Sequence, residues 1–92
     1  TQPSRRILNT AAAARELDLR GMETLEAESV LDNYLDAALR AHLETVTIIH
    51  GKGTGALRKA VHAALRKNRT VKSFRLGHYG EGESGVTIVE FK

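Results

Sequence analysis

Residues 46–58 constrain the chain more than any other stretch. Val46, Ile48 and Ile49 form a short β-branched apolar run, too short for a buried helix, which reads as a strand. Gly51, Gly53 and Gly55 follow, and then an apolar and basic stretch with helical spacing. A strand, a glycine-rich turn and a helix make a recognisable physical device. Glycines let backbone approach a ligand closely. The unpaired N–H groups and the dipole at the helix start favour an anion, typically a phosphate. His50 and Lys52 stand inside this turn and add a titratable group and a cation. The turn is not a Walker A loop, because Lys52 lies between glycines and no Ser or Thr follows it directly. Taken alone, it is equally well explained as a tight strand-to-helix connection with a solvated Lys.

Ninety-two residues suit one domain, and an apolar fraction of 41% allows one modest core. With no Cys, there are no disulfides, no thiolate metal sites and no Cys nucleophile. No apolar run approaches the length of a membrane span, so no membrane partner is expected. No signal peptide is visible. The chain begins at Thr1, so it is expected to be a piece of a longer protein, with the cytoplasm as the default location. Charge is unevenly placed. Residues 1–44 carry five Lys/Arg against eight Asp/Glu, and residues 45–92 nine against three, within an overall +3. The basic half also holds the glycine turn, which fits a polyanionic partner. A basic surface kept for solubility fits it too.

In chain order, residues 1–15 read as a linker or arm. Glu16 to Gly21 alternates polar and apolar, a short strand with Leu17 and Leu19 toward the core and Asp18 with Arg20 outward. Thr24 to Ala41 reads as a helix capped by Thr24, with Ala27, Val30, Leu31, Tyr34, Leu35 and Ala38 as its apolar stripe. His42 marks its solvated end. The second strand is 46–49. The second helix, about 55–67, takes Thr54 as N-cap and buries Leu57, Ala60, Val61, Ala64 and Leu65. Arg58, Lys59, Arg66, Lys67 and Arg69 form its cationic outer side, with His62 exposed among them. Asn68 suits a left-handed C-cap. Residues 71–76 and 86–91 are the last two strands, joined by a glycine-rich hairpin loop at 77–85 that is longer than usual. Such a loop is either functional or simply mobile.

The order strand, helix, strand, helix, strand, strand, with right-handed crossovers, places both helices on one face of a four-stranded mixed sheet. The expected fold is therefore α/β, a two-layer βαβαββ sandwich. In open α/β sheets ligands bind beyond the carboxyl ends of parallel strands. Asp18, Arg20 and Gly21 end the first strand, and residues 50–55 follow the second. If the two strands are neighbours, about 5 Å apart, a carboxylate, a guanidinium, an imidazole and a phosphate seat share one small site.

These residues also carry a resemblance. Leu17-Asp18-Leu19-Arg20-Gly21, followed after a helix by Ile49-His50-Gly51-Lys52-Gly53-Thr54-Gly55-Ala56-Leu57-Arg58, is similar to an Smr (small MutS-related) domain, most of all the one at the C-terminus of bacterial MutS-II proteins. The glycine-rich loop and the closing Gly85-Val86-Thr87-Ile88-Val89 are similar too. The resemblance covers about residues 17–92 and marks 16–92 as the domain. It implies a fold similar to the C-terminal domain of translation initiation factor three, nucleic-acid binding, and nicking endonuclease or endoribonuclease activity. It further implies a dimeric parent linked to suppression of recombination and to rescue of collided ribosomes. The isolated domain is expected to be a monomer. Many family members have His where this chain has Arg20, although the MutS-II branch commonly has Arg. Arg20 cannot serve as a base at neutral pH.

On this reading the chain is an endonuclease domain for DNA, RNA or both, with little sequence preference. His50 is the general base or acid. Asp18 orients His50, positions water or binds a metal ion. Arg20 and Lys52 neutralise the scissile phosphate, the N–H groups of Gly53, Thr54 and Gly55 hold it, and Arg58 and Lys59 extend the basic surface. No cofactor is identified, and a divalent metal ion stays open. The rivals are a module that grips DNA or RNA without cutting, and one that docks the parent on a ribosome.

Overall fold

A computed structural model describes residues 14–92, so the arm expected at 1–15 lies outside the described residues except for Ala14 and Arg15. The elements are β1 (Glu16–Asp18), α1 (Thr24–Arg40), β2 (Thr45–Ile49), α2 (Ala56–Lys67), β3 (Val71–Leu76) and β4 (Val86–Phe91). The sheet order is β1-β2-β4-β3, with β1 parallel to β2 and β4 antiparallel to both its neighbours. The first crossover joins adjacent strands. The second passes over one place in the sheet, and β4 returns to fill it. This is the expected two-layer α/β sandwich.

Strand alternation sets the core. Val46 and Ile48 of β2 and Thr87, Val89 and Phe91 of β4 point to one side, where each is less than 10% exposed. Ala27, Leu31, Leu35 and Ala38 of α1 and Val61 and Leu65 of α2 close over them. Val30, Tyr34, Leu57 and Ala64 pack around the rim. Full burial of each large aliphatic side chain is worth about 1.5–3 kcal/mol, so this cluster supplies most of the drive to fold.

The helix ends differ from the sequence expectations. Thr24 is the first helical residue, and Glu23 holds the N-cap position without a side-chain hydrogen bond. At the other end of α1, His42 takes φ 61. Its N–H donates to Leu39 O, and that of Leu43 donates to Ala38 O. This is the Schellman arrangement, with His42 in the left-handed position that Gly usually fills. Asn68 closes α2 with φ −86 and ψ 115, extended rather than left-handed. Its side chain instead accepts the Thr70 N–H at 2.9 Å, a local turn that launches β3.

The 77–85 segment is pinned rather than loose. Arg75 Nη1 meets Glu81 Oε1 at 2.9 Å, and the same carboxylate accepts the His78 N–H at 2.8 Å. The Gly77 N–H donates to Glu83 O and Val86 O. Residues Glu83–Gly85 form one turn of 3-10 helix. A Cβ at Gly77 or Gly82 would come within 2.6 Å of the Val86 side chain, so both glycines are required by close packing.

Tyr34 reports on the packing of α1 against the start of β1. It is half-buried, and its hydroxyl donates to Ala14 O. Burial, and after it the negative charge of Glu16, pushes its pKa from the usual 10.0 to about 12. The folded state favours the neutral phenol. Its contribution to stability is therefore complete below pH 10.0 and lost as pH rises through about 12. In a Tyr79→Phe variant Tyr34 is the sole tyrosine, and its absorbance titration is expected to midpoint near 12. A midpoint at the ordinary tyrosine value would contradict the packing.

Candidate active site

Pairing of β1 with β2 builds the site. Asp18 lies opposite Ile49, and the Leu19 N–H donates to Ile49 O at 2.7 Å, one residue beyond the strand. Arg20 and Gly21 are thereby brought beside His50 and Gly51. Gly51 takes φ +81, and a Cβ there would meet Arg20 Cγ at 3.3 Å. The Arg20 stem thus passes close over the glycine turn.

Asp18 holds Arg20. Its carboxylate accepts the Arg20 backbone N–H at 3.0 Å, Nε at 3.0 Å and Nη2 at 2.7 Å. Both side chains are largely exposed, so the pair contributes little to stability. What it provides is orientation of the guanidinium. The Arg20 side-chain hydrogen bond, and then its backbone N–H, hold the Asp18 carboxyl at about 2.

A cleft of about 700 Å³ opens here, between Met22 to Leu25 on one wall and the glycine turn on the other. Arg20, His50, Gly53, Thr54, Gly55 and Arg58 all line it. Gly55, at φ 90, is the N-cap of α2 in place of the expected Thr54. The Thr54 hydroxyl still accepts the Ala56 N–H at 3.3 Å. Arg58 curls back over Gly55, where a Cβ would lie 3.1 Å from Nη2. The N–H groups of Gly53, Thr54 and Gly55 have no acceptor among the described residues. Residues with three unpartnered backbone donors, two arginines and the start of a helix therefore line one space, an arrangement suited to an anion. Lys52 stands aside on the exposed surface, 3.4 Å from Glu83 Oε1. Lys59 is exposed on α2 and lies outside the cleft lining.

His50 is buried, at 4% exposure. Its Nδ1 lies 3.0 Å from Gly51 O and its Nε2 2.8 Å from Thr87 Oγ1. The Gly51 carbonyl and Thr87 therefore orient the imidazole. The role of orienting His50, one of those expected of Asp18, is excluded because both ring nitrogens are taken and the Asp18 carboxylate is engaged by Arg20. The His50 and Gly51 N–H groups both donate to Gly85 O, which ties the turn to the end of the 77–85 segment. His62 is not exposed as expected. It is half-buried, with Nε2 2.8 Å from the same Thr87 Oγ1 and its ring 4.9 Å from that of Phe74. Burial lowers its pKa, followed by the charges of His50, Arg66 and Arg58.

Thr87, Gly85, Glu83 and His62 were missed as site residues. One signal was available: Thr87 stands at an inward position of an otherwise apolar strand, where a hydroxyl needs a partner. Among the described residues no three His, Cys, Asp or Glu side chains converge on a metal-binding position. With both Asp18 oxygens on Arg20, a cation would have to displace the guanidinium. These donors, as they stand, do not fit a protein-held metal.

A βαβαββ sandwich with a cationic, glycine-lined cleft at the carboxyl ends of its parallel strands defines an α/β domain built around an anion-favouring turn. The chain belongs to the Smr domain family, whose family model matches residues 17–92. It is 54% identical over 85 residues to the endonuclease MutS2 of Clostridium acetobutylicum, covering 92% of this chain and 11% of the relative. It is 60% identical over 77 residues to the endonuclease MutS2 of Ruminiclostridium cellulolyticum, covering 84% of this chain and 10% of the relative. The chain thus spans about a tenth of the length of these relatives. The crystal structure of the Smr domain of Thermus thermophilus MutS2 matches with a TM-score of 0.83 at 44% identity, over 86% of this chain and 99% of that one. YdaL, a stand-alone small MutS-related protein from Escherichia coli, matches with a TM-score of 0.81 at 25% identity, over 85% of this chain and 64% of that one.

Proposed function

We propose that this domain binds nucleic acid by its phosphate backbone and nicks it, hydrolysing a phosphodiester with little sequence preference. The observation that carries the reading is the convergence of Arg20, His50, Gly53, Thr54, Gly55 and Arg58 on one cleft. The name endonuclease carried by the MutS2 relatives supports it. The available contacts are cations and backbone donors, which position a phosphate and read no base edge. Arg20, fixed by Asp18, neutralises charge that develops on the phosphoryl oxygens. His50 moves the proton, since an imidazole carries both a donor and an acceptor nitrogen. In a longer dimeric parent the domain would deliver this nick to recombining DNA or to RNA on a ribosome.

One observation favours the rival that grips without cutting: both ring nitrogens of His50 are bonded within the protein. Pure domain offered supercoiled plasmid and structured RNA in parallel, with and without chelator, separates the readings and identifies the substrate. Nicking that persists in purified wild type and is lost in a His50 variant supports the nuclease. Absence of nicking on both substrates overturns it.

Two further changes report on the grip. Lys52→Ala is expected to weaken binding and cleavage together, because an exposed cation beside the cleft attracts the phosphate backbone in ground and transition states alike. Arg58→Ala with Lys59→Ala is expected to weaken all sequences equally. It should also flatten the slope of log K against log salt by about 0.9 for each phosphate of duplex DNA that is no longer neutralised. An unchanged slope would move the binding surface away from α2.

A further inference from the structure

We propose that His50 works through a proton relay, His50–Thr87–His62, in which His62 is the solvent-side terminus. This rests on the nuclease reading above. The hydrogen-bond order follows from what each atom can do. Gly51 O only accepts, so His50 Nδ1 carries a proton and donates it. The neutral ring then has a bare Nε2, which accepts the Thr87 hydroxyl proton at 2.8 Å. That hydroxyl has spent its one proton, so its oxygen accepts from His62 Nε2–H, also at 2.8 Å. The bonds all run one way, from His62 through Thr87 and His50 to the Gly51 carbonyl. His62 Nδ1 has no partner among the described residues, and the ring is half-buried, which leaves that nitrogen to water.

The relay closes without net charge on either ring. When a leaving oxygen takes the place of Gly51 O, it receives the Nδ1 proton of His50. The Thr87 proton moves to His50 Nε2, the His62 Nε2 proton moves to Thr87 Oγ1, and a water proton enters at His62 Nδ1. One proton leaves to the product and one arrives from solvent. Both imidazoles end neutral in the opposite tautomer. The attacking water gives its proton to His50 Nδ1, the shift runs backward, and a proton leaves His62 Nδ1 to solvent, which restores the Nδ1–H that the Gly51 carbonyl requires.

A neutral route suits the surroundings. His50 is 4% exposed and both its ring nitrogens are bonded within the protein, so a proton reaches its Nε2 through Thr87. Arg58 and Arg66 flank His62 on its own helix and disfavour its charged form, as does burial. Phe74 from β3 and Thr87 from β4 complete its surroundings and carry no charge. To satisfy a buried His50, Thr87 alone would suffice. The second histidine, held edge-on at 6.1 Å from the first, extends the chain from the buried ring to a half-exposed one.

The test combines tautomer spectroscopy with kinetics. Long-range proton–nitrogen NMR on histidine-labelled domain is expected to show His50 with its proton on Nδ1 and His62 with its proton on Nε2. His50 protonated on Nε2 alone would overturn the order. Thr87→Val and His62→Phe, each checked for folding by circular dichroism, are expected to lower single-turnover cleavage by about a hundredfold, the lower end of what proton transfer contributes. Binding should be unchanged, and Thr87→Ser should restore cleavage. Joining the two substitutions should cost no more than either alone, as for groups acting in one chain. A folded Thr87→Val domain that cuts at the wild-type rate overturns the relay while leaving the nuclease standing. Wild type that cuts neither DNA nor RNA overturns both.

Discussion

His50→Gln is expected to leave nucleic-acid binding near wild type and to lower single-turnover cleavage by about a hundredfold or more, the usual scale of general acid–base catalysis. The choice of Gln follows from the geometry. Its amide nitrogen can donate toward Gly51 O and its oxygen can accept from Thr87, the two bonds His50 makes now. The turn therefore keeps its internal partners, and the residue loses only the ability to gain and lose a proton. Arg20, Arg58 and the N–H groups of residues 53–55 are untouched, so the anion-binding surface remains. Quenched single-turnover assays alongside filter binding give both quantities from one preparation. A folded His50→Gln domain that cuts as well as wild type would reduce His50 to a turn residue. Any nicking would then be traced to a contaminant.

Leu31→Ala is expected to cost about 2–5 kcal/mol, the range for removing a large aliphatic side chain from a packed core. Leu31 is 0% exposed at the centre of the α1 stripe, where helix and sheet meet. A small domain is stable by only about 5–15 kcal/mol, so this one change takes a large share. At roughly 4–8 °C per kcal/mol for a domain of this size, the melting temperature should fall by about eight degrees or more. Leu25 is the control. It lies on the same helix but is 79% exposed, and its change to Ala should stay within about 0.5 kcal/mol. Thermal and urea melts followed by circular dichroism measure both. Equal losses at the two positions would contradict the assignment of the buried face.

Much of this was legible in the residues. The spacing of Ala27, Leu31, Leu35 and Ala38 marks one helical face, and all four are buried. The β-branched run at 46–49 and the alternation at 86–91 mark strands, because period two separates an inner from an outer side. The strand-to-helix turn with its three glycines announced an anion-favouring junction, and the two motifs around Arg20 and His50 announced the family. The sequence left open whether the first two strands are neighbours; the parallel pairing of β1 with β2 brings the two motifs together at their carboxyl ends.

What the linear sequence did not contain is which groups touch. Thr87 lies 37 residues from His50. Only the return of β4 between β2 and β3 sets it beside the imidazole. His62 looked like one more polar residue on the cationic side of α2, grouped with Arg58, Lys59 and Arg66. Its position just after Val61 turns it partly toward the sheet, and α2 lies where Thr87 and Phe74 receive it. The 77–85 segment looked mobile because glycines are permissive. In the folded chain two of them are required by contact with Val86, and Glu81 is held by Arg75. Asp18 looked like the partner of His50 because the two strand ends meet. The guanidinium two residues away reaches the carboxylate first, with charge-assisted hydrogen bonds. Local periodicity and backbone chemistry act over a few residues, so the sequence alone determined the elements and the anion-favouring turn. Hydrogen-bond partners are chosen by position in space, so only the tertiary structure decided that His50 answers to Thr87 and His62 rather than to Asp18.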